Sequence, residues 1–294
     1  MGKTLIVGGA TGYDWNKLKH WVNSINDSGF GGDVAIVASD ITKETIEKLN
    51  ENGINVSTYG NQTADGGFKR HGNQAPHVER FFWIWNYLNN VEVDYEHVIV
   101  TDTRDVIFQD NPDTFLREYC KVRPIIASSE GLTVQNEPWN WENVNQTFGP
   151  FFGEKILKNT LILNVGVIAG KKSHVRDLMM MIFQMSLNRP IPIVDQAVFN
   201  FLISQEPYQS QTYRTNNDDA WAAQMGATIY AVEAGSGDLG QFGNKEKYLK
   251  DYIGDQPKIE NGMVFNSKNN PFIIVHQWDR VPQLKDVVEK KYGA

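Results

Sequence analysis

Residues 98–108 read Val98-Ile99-Val100-Thr101-Asp102-Thr103-Arg104-Asp105-Val106-Ile107-Phe108: an apolar run, then two acids around an arginine, then apolar character again. The run Val98 to Val100 predicts a buried strand, because β-branched side chains crowd a helix but pack well on a pleated sheet. Carboxylates at the C-terminal end of such a strand stand where open α/β sheets bind ligands. Along a straight strand, residues three apart face opposite sides, so Asp102 and Asp105 converge only if the chain turns between them. The stretch therefore reads as a strand followed by a turn that aims both acids at one point. Oxygen ligands of this kind suit Mg²⁺ or Mn²⁺, which keep several waters and take one or two protein carboxylates together with substrate phosphates. Taken alone, the same residues also describe a salt-bridged surface turn, and the surrounding chain decides between the two.

Upstream, strand and helix patterns alternate. Leu5 to Val7 is followed by Leu18, Trp21, Val22 and Ile25 at helical spacing, Val34 to Val37 by a helix around Thr42 to Asn52, and Ile54 to Tyr59 forms a third strand. This βαβαβ order predicts a parallel, right-handed, doubly wound sheet. Residues 60–75, rich in Gly and Asn, read as a mobile loop. Pro76 then opens a helix presenting Val78, Phe81, Phe82, Trp85 and Leu88. Downstream, Ile125 to Ala127 predicts a core strand, 130–153 an irregular aromatic segment, and Leu161 to Gly170 a further strand. Val175 to Leu187 reads as a Met-rich helix, Asp195-Gln196 as a helix start, and Phe272 to Val275 as a strand running into His276.

The chain has 294 residues, enough to bury about three quarters of its unfolded surface. Its 28 basic and 35 acidic residues give a formal charge of −7, which argues against a nucleic-acid groove. Cys120 is the single cysteine, so there is neither a disulfide framework nor a thiolate cluster, and a reducing, cytoplasmic setting is expected. No segment is apolar for long enough to predict a transmembrane span or a signal sequence. Asn-x-Ser/Thr sequons begin at Asn26, Asn55, Asn61 and Asn145 and would matter only in a luminal protein.

Three signals thus fall in a fixed order: the strand ending in Asp102 and Asp105, the strand carrying Asn164-Val165-Gly166, and the helix start Asp195-Gln196, with His276 after the last strand. Together they resemble nucleotide-sugar glycosyltransferases of the GT-A fold. The likeness is greatest to the glycogenin-like group and to bacterial and large-virus transferases whose acidic motif carries an inserted arginine. The resemblance covers most of the chain in layout and is specific at those motifs alone. It implies an α/β fold of GT-A type, with a Rossmann-like, mostly parallel central sheet flanked by helices. It also implies one catalytic domain over 1–294, with a nucleotide-sugar-binding half (1–110) and an acceptor-binding half (111–294). The implied activity is metal-dependent transfer of a hexose or pentose from a nucleotide-sugar donor, UDP-sugar first, to a glycan or other hydroxyl acceptor.

The same resemblance implies site roles. Asp102, Asp105 and His276 would hold Mn²⁺ or Mg²⁺ against the diphosphate, although the family spacing is D-x-D and the extra residue here favours Asp105 for direct ligation. His276 would need its other ring nitrogen held by an acceptor; its alternative is a hydrogen-bonded histidine near a strand end. The family's basic residue after that histidine is not clearly matched, with Arg280 or Lys285 available. Gly8 to Tyr13 follows the first strand as the nucleotide-binding loop does, giving Gly9, Ala10, Thr11 and Tyr13 to uracil and ribose. Asp40 resembles the acid that bonds the base, or else belongs to a helix N-cap region. Arg80 and Arg104 would serve the donor, Asn164 would bond the sugar, and Gly166 would allow close backbone approach. Asp195 and Glu130 are the candidate catalytic carboxylates, against the alternatives of a helix N-cap and a solvated loop charge. Trp139, Trp141, Trp221 and Trp278 are candidate platforms for an acceptor sugar, with Asn216 to Trp221 suggesting a polar cleft.

Two rival readings remain. Leu5-Ile6-Val7-Gly8-Gly9-Ala10-Thr11-Gly12 resembles the glycine-rich turn of NAD(P)-dependent short-chain reductases, but Trp15 stands where a third glycine is wanted. A non-catalytic carbohydrate-binding protein fits only if the acids bind no metal.

Overall fold

Leu5, Ile6 and Val7 are wholly buried because their strand, β1 (Lys3–Thr11), has packed layers on both faces. The structure, a computed structural model, describes residues 2–235 and 245–293. Helix α1 (Trp15–Asp27) is capped by Asp14, which accepts from the Lys17 amide at 3.1 Å, and buries the stripe Leu18, Trp21, Val22 and Ile25. β2 (Asp33–Ser39), α2 (Lys43–Glu51) and β3 (Asn55–Thr58) complete the βαβαβ run, with all three strands parallel as expected.

Residues 60–75 differ from the open loop expected. They form a hairpin of β4 (Asn61–Gln62) and β5 (Phe68–Lys69), bridged to the chain after β2 through Ile41 and Phe68. Arg70 pins it, its amide donating to Asp40 Oδ1 at 3.0 Å and its guanidinium to Glu79 at 3.2 Å. Helix α3 (Pro76–Asn90) buries Val78, Phe81, Ile84 and Leu88, whereas Phe82 and Trp85 are only half-buried.

β6 (Tyr95–Thr101) lies parallel beside β1, the chain turns over residues 102–105, and β7 (Val106–Phe108) leaves the main sheet. After α4 (Asp113–Tyr119) comes β8 (Ile125–Thr133), which continues past Ala127 because Ser128, Ser129 and Glu130, though polar, are buried. The segment expected to be irregular holds α5 (Pro138–Phe148) and the single turn α6 (Pro150–Phe152). Its helical start is hidden in the sequence because the cap is Glu137, outside the usual capping set, and Trp and Asn are middling helix formers. β9 (Leu161–Lys171), α7 (Lys172–Ser186), α8 (Asp195–Ile203) and β10 (Thr212–Thr215) follow.

The seven-stranded sheet has the order β10-β8-β9-β6-β1-β2-β3. It is mostly parallel, with β9 antiparallel to both β6 and β8. Leu5 and Val7 face the core made with α3, α7 and α8; Ile6, between them, faces the core made with α1. Cover on both faces explains why these strands read as continuous apolar runs. β11 (Ala222–Gln224), the hairpin β12 (Lys258–Glu260) and β13 (Met263–Phe265), and β14 (Ile274–His276) complete the described strands. β14 pairs with β11 on one side and with β7 on the other, forming a second small sheet. That pairing brings His276 opposite Val106, next to the acidic turn. Among the described residues no helix is long and apolar enough to cross a membrane.

Candidate active site

The acidic turn is anchored at both ends. Trp21 Nε1 donates to Thr101 Oγ1 at 2.9 Å beneath it, and Thr103 Oγ1 donates to the Gly9 carbonyl at 3.0 Å. A Cβ on Gly8 would stand 2.1 Å from the Thr103 methyl, and one on Gly9 would stand 3.0 Å from Arg80 Cβ. These glycines therefore make room for the turn and for α3. This corrects the expected loop: Gly8, Gly9, Ala10 and Thr11 lie within β1, and Thr11 Oγ1 shares a hydrogen bond of 2.9 Å with Tyr59. The dinucleotide reading loses its support by the same finding, because its glycines must form a turn over a pyrophosphate and these are in a strand.

Asp102, Asp105 and His276 each offer one donor atom, all within 4.8 Å of one another. His276 Nε2 is 3.6 Å from Asp102 Oδ2 and 3.6 Å from Asp105 Oδ1. The other oxygen of each acid is held by an arginine: Arg80 Nη1 donates to Asp102 Oδ1, and Arg104 Nη2 donates to Asp105 Oδ2 at 3.0 Å. Each acid thus presents a single oxygen, and the turn over residues 102–105 brings both to the same point despite the D-x-x-D spacing. Asp105 is buried, and the Arg104 guanidinium beside it favours its charged form. The acceptor for the other imidazole nitrogen, which the sequence left open, is Gln224 Oε1, 2.8 Å from His276 Nδ1.

The Asn164-Val165-Gly166 element is a bulge in β9. Its register with β8 jumps from Ala127 opposite Ile168 to Ser128 opposite Asn164, leaving the backbone between to find other partners. Asn164 Oδ1 takes the Gly166 amide at 2.7 Å, Gln196 Oε1 takes the Val165 amide at 2.8 Å, and Asn200 bonds both backbone groups of Leu163. The Gly166 carbonyl in turn accepts from the Asp102 amide at 2.9 Å. A Cβ at Gly166 would lie 2.5 Å from His276 Cε1 and 2.9 Å from Asp102 Oδ2, so glycine is needed for the cluster to sit where it does.

Glu130 is part of this network, not a loop charge. It is buried on β8, and its Oε1 accepts from Asn164 Nδ2 at 2.7 Å and Gln196 Nε2 at 2.9 Å. Burial, with a smaller push from Glu137, raises its carboxyl from 4.5 to about 7 despite these bonds. A carboxyl raised on folding destabilises the native state once it ionises, so stability should fall as pH rises from about 4.5 to about 7, by on the order of 3 kcal/mol. Denaturant unfolding of wild type and Glu130→Gln at pH 5 and pH 8 checks this: the variant should lose that component, and equal pH dependence in both would contradict it.

These groups line one cleft of about 310 Å³, shared by Arg80, Asp102, Glu130, Asn164, Gly166, Asp195 and His276. Asp195 is not the α8 N-cap; Val194 occupies that position, and the Asp195 carboxylate accepts from Arg80 Nη2 at 3.1 Å. Arg80 therefore ties Asp195 to Asp102. Arg280 lines the cleft, whereas Lys285 pairs with Glu289 at 3.9 Å on its own helix. Of the four tryptophans, Trp139 lines the cleft. Trp221 is fully buried and stacked on Phe115, Trp278 is buried near His20, and Trp141 packs on a satellite core. Asn216 to Asp219 is a capping turn rather than a cleft wall. Gly9, Ala10, Thr11, Tyr13, Asp40 and Arg104 do not line this cleft, and Asp105 is buried behind its wall. Asp40, with φ of 49°, holds Arg70, and Thr42 rather than Asp40 caps α2. Sequence reasoning missed Glu137 in the cleft and Gln224 behind it; the one signal for Glu137 was its place before Pro138, a proline at the first helical position.

No family model matches the chain, and no curated protein matches it. Solved structures do. The glycosyltransferase GlyE of Streptococcus pneumoniae TIGR4 superposes over 99% of this chain and 60% of its own, with a TM-score of 0.54 at 13% identity; its apo form gives 0.55. The apo structure of the bifunctional glycosyltransferase WbbM superposes over 100% of this chain and 52% of its own, with a TM-score of 0.54 at 10% identity. The chain spans less than two thirds of the length of these structures. Its fold is thus the mixed α/β fold found in glycosyltransferases, as the resemblance implied.

Proposed function

We propose that the chain transfers a sugar, hexose or pentose, from a nucleotide-sugar to a hydroxyl of a glycan or other acceptor. UDP-sugar is the favoured donor. The observation that carries this reading is the convergence of Asp102 Oδ2, Asp105 Oδ1 and His276 Nε2 at the wall of a cleft lined by Asp102, His276 and the buried carboxylates Glu130 and Asp195, with Asp105 buried behind that wall; the fold it shares with glycosyltransferases supports it. Two carboxylate oxygens and one imidazole nitrogen suit a divalent ion that shares its remaining positions with phosphate and water. The imidazole favours Mn²⁺ over Mg²⁺. When bound, such an ion neutralises charge on the departing diphosphate.

The chain's own residues supply the rest. Arg80 and Arg104 bond the two acids, and Arg280, which lines the cleft, is assigned to phosphate charge. Tyr13, just past the C-terminal end of β1, is assigned to the nucleoside. Asn164 and Gly166 line the sugar position. Glu130 and Asp195 are the acceptor-side carboxylates, and a carboxyl near pH 7 gives Glu130 the range of a general base, a role worth about 10² to 10⁴ in rate. Trp139 offers a face for an acceptor ring. A cytoplasmic setting is supported by the lone, buried Cys120. The test is a panel of UDP-sugars assayed for UDP release in Mn²⁺, with the product anomer read by NMR. Release from at least one donor is expected, and none from any sugar nucleotide would overturn the reading.

A further inference from the structure

We infer that Gln224 is a positioning residue that fixes His276 in the tautomer whose Nε2 lone pair faces the carboxylates, and thereby sets how tightly the cluster holds its ion. The inference rests on the metal reading of Asp102, Asp105 and His276. Gln224 and His276 are register partners on the parallel strands β11 and β14, so their side chains stand side by side, both buried. An amide oxygen only accepts, so at 2.8 Å from Gln224 Oε1 the proton belongs on Nδ1. A neutral imidazole carries one N–H, and Nε2 is left as a lone pair 3.6 Å from an oxygen of each acid. In the neutral ring, three electron-rich atoms thus face one another with no proton between them, an arrangement that a divalent cation satisfies.

Without Gln224 the ring is free to place its proton on Nε2 and bond to Asp102 or Asp105, which closes the cluster on itself. The packing supports a role beyond filling space. Gln224 Nε2 is buried without a hydrogen-bond partner among the described residues, a costly state that an apolar side chain of similar size would avoid. Holding the far nitrogen of a ligating histidine is the way proteins fix its tautomer and raise its basicity.

The experiment uses Mn²⁺ alone, with free ion counted by electron paramagnetic resonance, on the full chain and on Gln224→Leu, Gln224→Glu and Asp105→Asn. Gln224→Leu should weaken Mn²⁺ binding about 10- to 100-fold with the fold retained by circular dichroism. Gln224→Glu, which keeps an acceptor, should bind at least as tightly as wild type. Nitrogen-15 NMR of the metal-free wild type, at a pH where the ring is neutral, should find the His276 proton on Nδ1. Wild-type affinity in Gln224→Leu, failure of Gln224→Glu to hold Mn²⁺, or a neutral wild-type ring protonated on Nε2 would each overturn the inference. Asp105→Asn separates the two levels: unchanged Mn²⁺ binding there overturns the metal reading itself, whereas loss there with none in Gln224→Leu overturns the positioning role alone.

Discussion

Asp105→Asn should lower metal-dependent turnover by about 10³-fold while leaving the fold intact. The substitution keeps the volume of a side chain buried between His276 and Arg104 but replaces the charged oxygen that faces Nε2. A metal ion contributes several kcal/mol of charge stabilisation to a transition state, and at about 1.4 kcal/mol per decade its loss accounts for that factor. Arg104 keeps a second acid, Asp279, at 3.5 Å, so the variant does not strand a lone guanidinium. The check is initial rate at saturating Mn²⁺, with thermal melting as the control. Undiminished turnover would refute Asp105 as a ligand.

Gly166→Ala should be nearly as damaging by a different route. The added methyl meets His276 Cε1 and Asp102 Oδ2, one on a buried ring and the other on a carboxylate already held by Arg80, so neither yields without moving a ligand. Overpacking of this kind costs about 1 to 3 kcal/mol of stability. Displacing a reacting or ligating group by an ångström costs about 10²-fold in rate. Rate and Mn²⁺ affinity should therefore fall together, whereas a variant with unchanged affinity would show that the bulge is not pressed against the cluster.

Much of this arrangement is legible in the amino-acid sequence. The run Val98 to Val100 is a strand because it is covered on both faces, and its acids lie at its C-terminal end as the pattern required. The strand and helix order and the Asn164, Asp195 and His276 elements also pointed to the right fold. Other residues were misread for identifiable reasons. Glycine has no side chain, so Gly8 and Gly9 look the same in sequence whether they form a turn or clear space for Thr103 and Arg80. Ser128 to Glu130 look like surface because their burial depends on partners such as Asn164 and Gln196, which are remote in sequence. Trp221 looks exposed beside Asn216 to Asp219, yet that polar stretch is a self-capping turn and the indole lies behind it against Phe115. Gln224 sits on a three-residue strand too short to show a period, and its link to His276 is purely tertiary.

In the proposed function, Asp102, Asp105 and His276 hold a divalent ion that sugar transfer requires. The most direct measurement is UDP release from the preferred UDP-sugar in Mn²⁺, after removal of the ion with EDTA, and after its return. Release should be lost in EDTA and restored by Mn²⁺, more fully than by Mg²⁺. An equal rate in EDTA and in Mn²⁺ would contradict the account.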